Sequence, residues 1–317
     1  MGNFTALFKK VNGVEQLKTY AYAHTLGVAL LETLLLGFDK KSLEIVRLSA
    51  TSKLLSRLRR KYQKAITAFC QKERSASLKH EHPHKIWMCW LQGIENAPPL
   101  VQKCFQSVQK NLGDSYEIVV ITEQNYKNYV RFPAHIQQKI DSGIITKTHF
   151  SDLLRLELLN RYGGTWIDAT VYLSGRNIPE YMLSSDLFLF QTLKPGLDGH
   201  AVAISSWFMT ACSNHPILRL TQYLLYLYWE DHNRLVDYFL LHDFFQIAIE
   251  TYPEEWAKVV PFSNAVPHIL LLRLFQPYNE KIWKAVSKMT SVHKLSYKYN
   301  EEDAKKSGTY FSYLFRS

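Results

Sequence analysis

The chain has 317 residues, 47% of them hydrophobic and 14% aromatic, which suits one large cored domain or a domain with an appendage. Its longest apolar run, residues 26–38, is broken by Glu32 and falls short of the ~20 residues a membrane-crossing helix needs. The net charge is +10, and residues 1–84, with 15 Lys or Arg against 6 Asp or Glu, hold nearly all of it, which points to a task for the N-terminal part.

Cys70, Cys89, Cys104 and Cys212 show no metal-ligand or redox spacing and read as reduced, mostly buried thiols of a cytosolic protein. No cleavable leader is expected, because the N-terminus starts amphipathic and continues helical. The absence of a phosphate-loop or dinucleotide glycine pattern argues against a kinase, a P-loop ATPase and an NAD enzyme.

Residues 1–80 read as a basic helical region, with helices expected over 14–36, 42–51 and 52–71. In the last, Leu55, Leu58, Tyr62, Ile66 and Phe69 recur every three or four positions, among Lys53, Arg57, Arg59, Arg60, Lys61 and Lys64. Such a helix either lies on an anionic membrane surface or packs its stripe on the main domain and leaves its charges in water. No nucleic-acid motif accompanies the charge. His80, His82 and His84 alternate in a polar linker, which reads as a solvated link more readily than as a metal site.

From residue 84 onward the pattern is strand and helix in alternation. Residues 85–91 make a first strand running into Gln92 and Gly93, a helix opens at Pro98-Pro99, and residues 116–122 form a second, apolar strand. Short helical segments cover 123–129 and 133–142, strands 186–191 and 202–210 follow, and aromatic-rich helices occupy 216–230 and 236–250. This order argues an α/β domain with a mostly parallel central sheet, whose ligands bind beyond the carboxyl ends of the strands.

The most informative stretch is residues 150–171. Its first half has the apolar density of a buried helix, with Asp152 and Arg155 three apart on one face. Gly163 and Gly164 stop that helix, and Thr165-Trp166-Ile167 then reads as a buried strand ending on Asp168. The spacing fits an ordinary ion pair on a helix, and equally a site of two acids and one base.

Ser151-Asp152-x-x-Arg155, followed by Tyr162-Gly-Gly-x-Trp166-x-Asp168-Ala-Thr170, resembles the donor segment of the capsular polysaccharide synthesis glycosyltransferases. These are similar to the mannosyltransferase and clostridial-toxin type of sugar transferase. The resemblance spans roughly residues 84–317 and implies a GT-A-like nucleotide-sugar-binding domain behind the N-terminal helices. It implies transfer of a hexose from UDP-galactose or UDP-glucose to a polyprenyl-diphosphate-linked saccharide, with retention, by an enzyme on the cytosolic face of the plasma membrane held through its basic helices. The opposing reading is a noncatalytic sugar-binding or membrane-surface adaptor with a decayed donor site.

In the terms of that resemblance, Asp152, Arg155 and Asp168 are catalytic, and Trp87, Gln92, Gly93, Ser151, Trp166, Thr170 and Lys298 join them in holding the donor. Trp207 on the 202–210 strand is expected beside the acceptor. The Tyr and Phe of the 216–230 and 236–250 helices read as core, with His242 and Asp243 as the exception expected at the acceptor, because a His beside an Asp within a helix needs a polar partner. A divalent cation, Mn2+ or Mg2+, is expected on Asp168. Thr170 stands where a second metal-binding Asp is usual in the wider group, so either His293 in the closing tail completes the ion's ligands or tail cations such as Lys298 take over part of its role.

Overall fold

The computed structural model describes residues 13–74, 81–193 and 202–315. The chain opens with three helices, α1 (Gly13–Tyr22), α2 (Leu26–Leu36) and α3 (Lys40–Arg74). The helix expected over 14–36 is two, because the chain turns at His24, whose φ is +55°. The two expected over 42–51 and 52–71 are one. Asp39 starts it by accepting from the Lys41 and Ser42 backbone N–H groups, and Ser52 sits within it without stopping it.

The apolar stripe of α3 is not free. Leu54, Leu55, Leu58 and Tyr62 are buried in the principal core, and the Tyr62 ring meets Phe244 edge-on at 5.4 Å. Arg59 forms a two-pronged pair with Glu250, both contacts at 2.6 Å. Of the two readings of this helix, packing against the main domain is the one observed. The most exposed apolar residues of the three helices lie on α2 instead, where Leu34 and Leu35 are 81% and 73% exposed.

The main domain is built on a five-stranded sheet of order β2-β1-β3-β6-β5. Its strands are β1 (Lys85–Cys89), β2 (Glu117–Ile121), β3 (Gly164–Ile167), β5 (Leu187–Gln191) and β6 (Ile204–Ala211). β1 runs parallel to both β2 and β3, and β6 lies antiparallel between β3 and β5. Four of the five strands therefore point the same way, as the alternation of elements predicts. A separate ladder pairs β4 (Val171–Leu173) antiparallel with β7 (Val292–Lys294), and neither of these short strands is read from the sequence.

Side chains alternate across the sheet. Trp87 and Trp166 enter one core with α7 (Lys147–Tyr162), α9 (Pro216–Asp231) and α10 (Leu240–Thr251). Ile86, Met88, Ile167 and Phe208 enter a second core on the other face, with Val108 and Leu112 of α4 (Pro99–Leu112). The sheet is thus covered on both sides, which suits strands that read as continuous apolar runs. Between β2 and α7 stand α5 (Tyr126–Tyr129) and α6 (Ala134–Asp141), with α8 (Tyr181–Ser184) before β5.

The turn from α7 into β3 depends on its two glycines. Gly163 and Gly164 have φ of +69° and +98°, and a Cβ on either would stand 2.6 Å from the Glu81 carbonyl oxygen or 2.5 Å from that of Lys85. Only glycine fits such close backbone crossings at positive φ. The tight turn sets β3 directly against α7, so the helix acids and bases come to the end of the strand.

Candidate active site

The site forms where α7 passes the carboxyl end of β3. Thr146 caps α7 by accepting from the His149 N–H. One turn later Asp152 and Arg155 meet as the i,i+3 spacing requires, with Nη2 of Arg155 3.1 Å from Oδ1 of Asp152. Both are buried. A buried carboxylate needs its remaining lone pairs engaged, and Nδ1 of His149 lies 3.4 Å from Oδ2 of Asp152. The other ring nitrogen of His149 accepts from the Trp229 indole at 2.9 Å, so Nδ1 carries the proton that faces Asp152.

Asp168 arrives from the strand. Its backbone N–H extends the β3–β6 ladder by donating to the Trp207 carbonyl at 2.9 Å. Its Oδ1 accepts from the Trp166 indole at 2.8 Å and lies 3.7 Å from Nη1 of Arg155. The Arg155 guanidinium stacks 4.9 Å from the centre of the Trp166 ring and donates to the Ser206 carbonyl. Ser151, half-buried, offers its hydroxyl to Nη2 of Arg155 at 3.3 Å. Ser151, Asp152, Arg155, Trp166 and Asp168 therefore converge, and Asp168 keeps 26% of its side chain open.

Lys294 is the member the sequence reading misses. Its ammonium lies 2.9 Å from Oδ2 of Asp168 and 2.7 Å from the Thr170 hydroxyl oxygen. β4 pairs with β7 so that Val171 stands opposite Lys294, which brings this lysine beside Asp168-Ala169-Thr170. Burial pushes the Asp168 carboxyl up, but the Lys294 and Arg155 cations outweigh it and hold the acid below its ordinary range.

Several expected residues are placed elsewhere. His293 precedes Lys294 in β7 and so faces the opposite way. It is fully buried against Trp283, its Nε2 is 2.9 Å from the Ser174 hydroxyl, and it does not join Asp168. Trp87 has no exposed surface and spends its indole N–H on the Gly163 carbonyl. It supports the α7–β3 turn from within rather than facing a donor. Asp243 is fully buried and its carboxyl is pushed well above the usual range by burial, so it presents nothing to an acceptor. Trp207 is 7% exposed and stacked on Phe190 at 4.5 Å. Gln92 and Lys298 are exposed, and Gly93 opens a short 3-10 turn, Ile94–Asn96.

His242 is half-buried within electrostatic reach of the site. Burial lowers its imidazole to about 4, against the pull of Asp152 and Asp168, whose fields reach it. Tyr238, 64% exposed, also feels both acids. Trp90 meets Tyr297 edge-on at 5.5 Å. An exposed aromatic face within reach of both acids, as Tyr238 offers, suits a sugar ring, and an exposed Tyr in a loop carries no periodic signal that could have flagged it.

The residues around Asp168 do not fit a divalent ion. Such an ion takes several oxygen ligands, whereas here one carboxylate and one hydroxyl already hold an ammonium and Arg155 claims Asp152. The linker histidines do not gather either. His84 stacks on Tyr116, and His80 lies outside the described residues. His82 instead pairs with Asp186 at 2.7 Å near Cys212. The Cys212 thiol is pushed up to about 12 by burial, so a cation there would have to displace its proton.

The chain belongs to the capsular polysaccharide synthesis protein family, whose model matches residues 37–314. The match begins ahead of α3 and so takes in more of the N-terminal helices than the motif resemblance does. Two fungal proteins share 32% identity with parts of it. The O-glycosyltransferase braB of Annulohypoxylon truncatum does so over 113 residues, 32% of this chain and 27% of that protein. The O-glycosyltransferase PaGT of Phomopsis amygdali does so over 93 residues, 26% of this chain and 22% of that protein. The chain thus aligns with about a quarter of the length of each relative. The PaToxG glycosyltransferase structure is similar at a TM-score of 0.38 and 18% identity, over 66% of this chain and 80% of that one.

Proposed function

We propose that the protein is a nucleotide-sugar-dependent glycosyltransferase of GT-A-like fold. In this reading it moves a hexose from UDP-galactose or UDP-glucose to a saccharide carried on polyprenyl diphosphate, with retention at the anomeric carbon. The observation that supports it best is the convergence of Asp152, Arg155 and Asp168 at the carboxyl end of a strand in the parallel part of the sheet. Ligands of open α/β sheets bind at such ends, and the glycosyltransferase relatives point to the same class.

A diphosphate leaving group must be bound and its developing charge neutralised. The Arg155 fork suits phosphate oxygens, and its stacking on Trp166 fixes its plane. Asp168 is held by the Trp166 indole and would accept from sugar or ribose hydroxyls, while Asp152, buried between Arg155 at Oδ1 and His149 at Oδ2, would hold Arg155 in place. Fixed charge of this kind at a leaving oxygen commonly contributes several kcal/mol. His242, Tyr238 and Tyr297 would border the acceptor.

A lipid-borne acceptor calls for contact with a membrane surface. Among the described residues no helix is long and apolar enough to cross a membrane. Surface contact would fall to α2, whose exposed Leu30, Leu31, Leu34 and Leu35 lie on one side with the exposed Lys40 and Lys41 just beyond, an arrangement that suits anionic lipid. The enzyme would then work on the cytosolic face of the plasma membrane.

The test is a donor screen that reads UDP released from UDP-sugars, with Asp168→Asn as control. Slow release by the native chain, abolished in the variant, is the expected result. Tight UDP binding without any release, with or without acceptor, would favour a sugar-binding adaptor instead.

A further inference from the structure

We infer that Lys294 stands in for the divalent ion at this site, so that donor diphosphate is bound and neutralised by Lys294 and Arg155 without a metal. This rests on the glycosyltransferase reading above and says how that reaction is driven.

Three observations carry it. Lys294 is held at the donor segment by backbone pairing, since the β4–β7 register sets it opposite Val171. Its ammonium contacts Asp168 at 2.9 Å and Thr170 at 2.7 Å, the very groups expected to take the ion. The side chain is 18% exposed, so its stem is packed while the ammonium reaches the one acid that remains open at 26%. An ammonium has three N–H donors, and Asp168 and Thr170 engage two, which leaves one for a phosphate oxygen.

Asp152 and Asp168 face Arg155 and Lys294, two against two, so the site is balanced before a donor enters. The two cations sit on either side of Asp168, Arg155 at Oδ1 and Lys294 at Oδ2. A doubly negative diphosphate beside Asp168 would meet Lys294 directly and feel the buried charge of Arg155 just behind it. A divalent ion would first have to expel the lysine, and would then find a single carboxylate. Thr170, which would be a weak cation ligand, is a good acceptor for an ammonium, and that gives its presence a physical reason.

In the transfer step, the bond between the anomeric carbon and the β-phosphate oxygen breaks and its electron pair stays on that oxygen. The acceptor hydroxyl oxygen forms the new bond to carbon, and its proton passes to the departing phosphate oxygen. Lys294 and Arg155 stay protonated throughout and offset the charge that collects on the leaving group.

The experiment measures UDP release from UDP-galactose and UDP-glucose by the full chain, in excess EDTA and again with added Mn2+ or Mg2+. Lys294→Ala, Lys294→Arg and the pair Thr170→Asp/Lys294→Ala are run alongside. The native rate should be unchanged by chelation. Lys294→Ala should lose about 100-fold in kcat with a smaller change in donor KM, and Mn2+ should not restore it. Lys294→Arg should keep part of the rate, and the double variant should become Mn2+-dependent, which a merely structural lysine would not produce. If Lys294→Ala does not fold, the chelation result and Lys294→Arg decide. Activity lost in EDTA and restored by Mn2+ in the native chain would overturn the inference and leave the transferase reading standing. No UDP release under any condition would bring down that reading, and the inference with it.

Discussion

The Trp166 indole serves two partners at once: its N–H donates to Oδ1 of Asp168 at 2.8 Å, and its face lies 4.9 Å from the Arg155 guanidinium. One ring therefore sets the angle between an acid from β3 and a base from α7. Trp166→Phe keeps a face under Arg155 but removes the donor. A hydrogen bond to a charged acceptor contributes ~1.5–3 kcal/mol, so a fall of about tenfold or more in donor turnover is expected with the fold retained. Unchanged UDP release from a folded Trp166→Phe would show that Asp168 needs no such anchor.

Arg155→Lys keeps the charge and loses the fork. Lysine cannot reach Asp152, Asp168 and the Ser206 carbonyl together, so about 100-fold loss of activity is expected. Arg155→Met should in addition unfold more readily, because Asp152 is left buried without its cation, at ~3–5 kcal/mol. Denaturant titration of both variants checks this, and equal stability of Arg155→Met and the native chain would refute it.

Acid should destabilise the protein through its buried histidines. Burial lowers His293 to about 4, while the unfolded chain takes up that proton near ~6.5. Between those values the unfolded state binds more protons, so stability rises with pH through that window. The contribution is complete above ~6.5 and is lost as pH falls towards the folded value, on the order of 3 kcal/mol. Asp168, held below its ordinary range, adds a loss of the same sign at still lower pH. Urea unfolding of His293→Gln should show a shallower decline than the native chain between about pH 7 and about pH 5. Parallel declines would assign the acid sensitivity elsewhere.

Gly163→Ala tests the turn that brings α7 to β3. The new Cβ would stand 2.6 Å from the Glu81 carbonyl at a φ of +69°. Strain and displacement together should destabilise by ~1–3 kcal/mol, with activity falling because Asp152 and Asp168 move apart. A melting temperature unchanged from the native chain would mean the turn has slack.

Membrane contact, if it uses α2, should respond to leucines rather than arginines. Leu34→Glu with Leu35→Glu should abolish pelleting with vesicles of anionic phospholipid and leave the fold intact, since both side chains lie mostly in water. Charge reversal at Arg59 breaks its pair with Glu250 and would act on helix docking instead. Pelleting that survives the double leucine change would remove α2 as the contact.

The amino-acid order alone determined whatever depends on residues near one another in the chain. The three-residue spacing placed Asp152 beside Arg155, the glycine pair ended α7, and the apolar runs with their intervening helices specified a covered, mostly parallel sheet. Those signals are local, because helix and strand periodicity, and the steric freedom of glycine, act over a few residues. Only the tertiary structure decided which distant groups meet them. β7 is three residues long and carries no strand pattern worth reading, yet its pairing with β4 chose Lys294 over its neighbour His293. Likewise the stripe of α3 read equally well as a membrane face or a packing face, since an apolar surface does not specify its partner. Burial settled it. Trp87 and Asp243 show the same limit, for side-chain chemistry names what a residue could bind, and only the packing around it says whether anything can reach it.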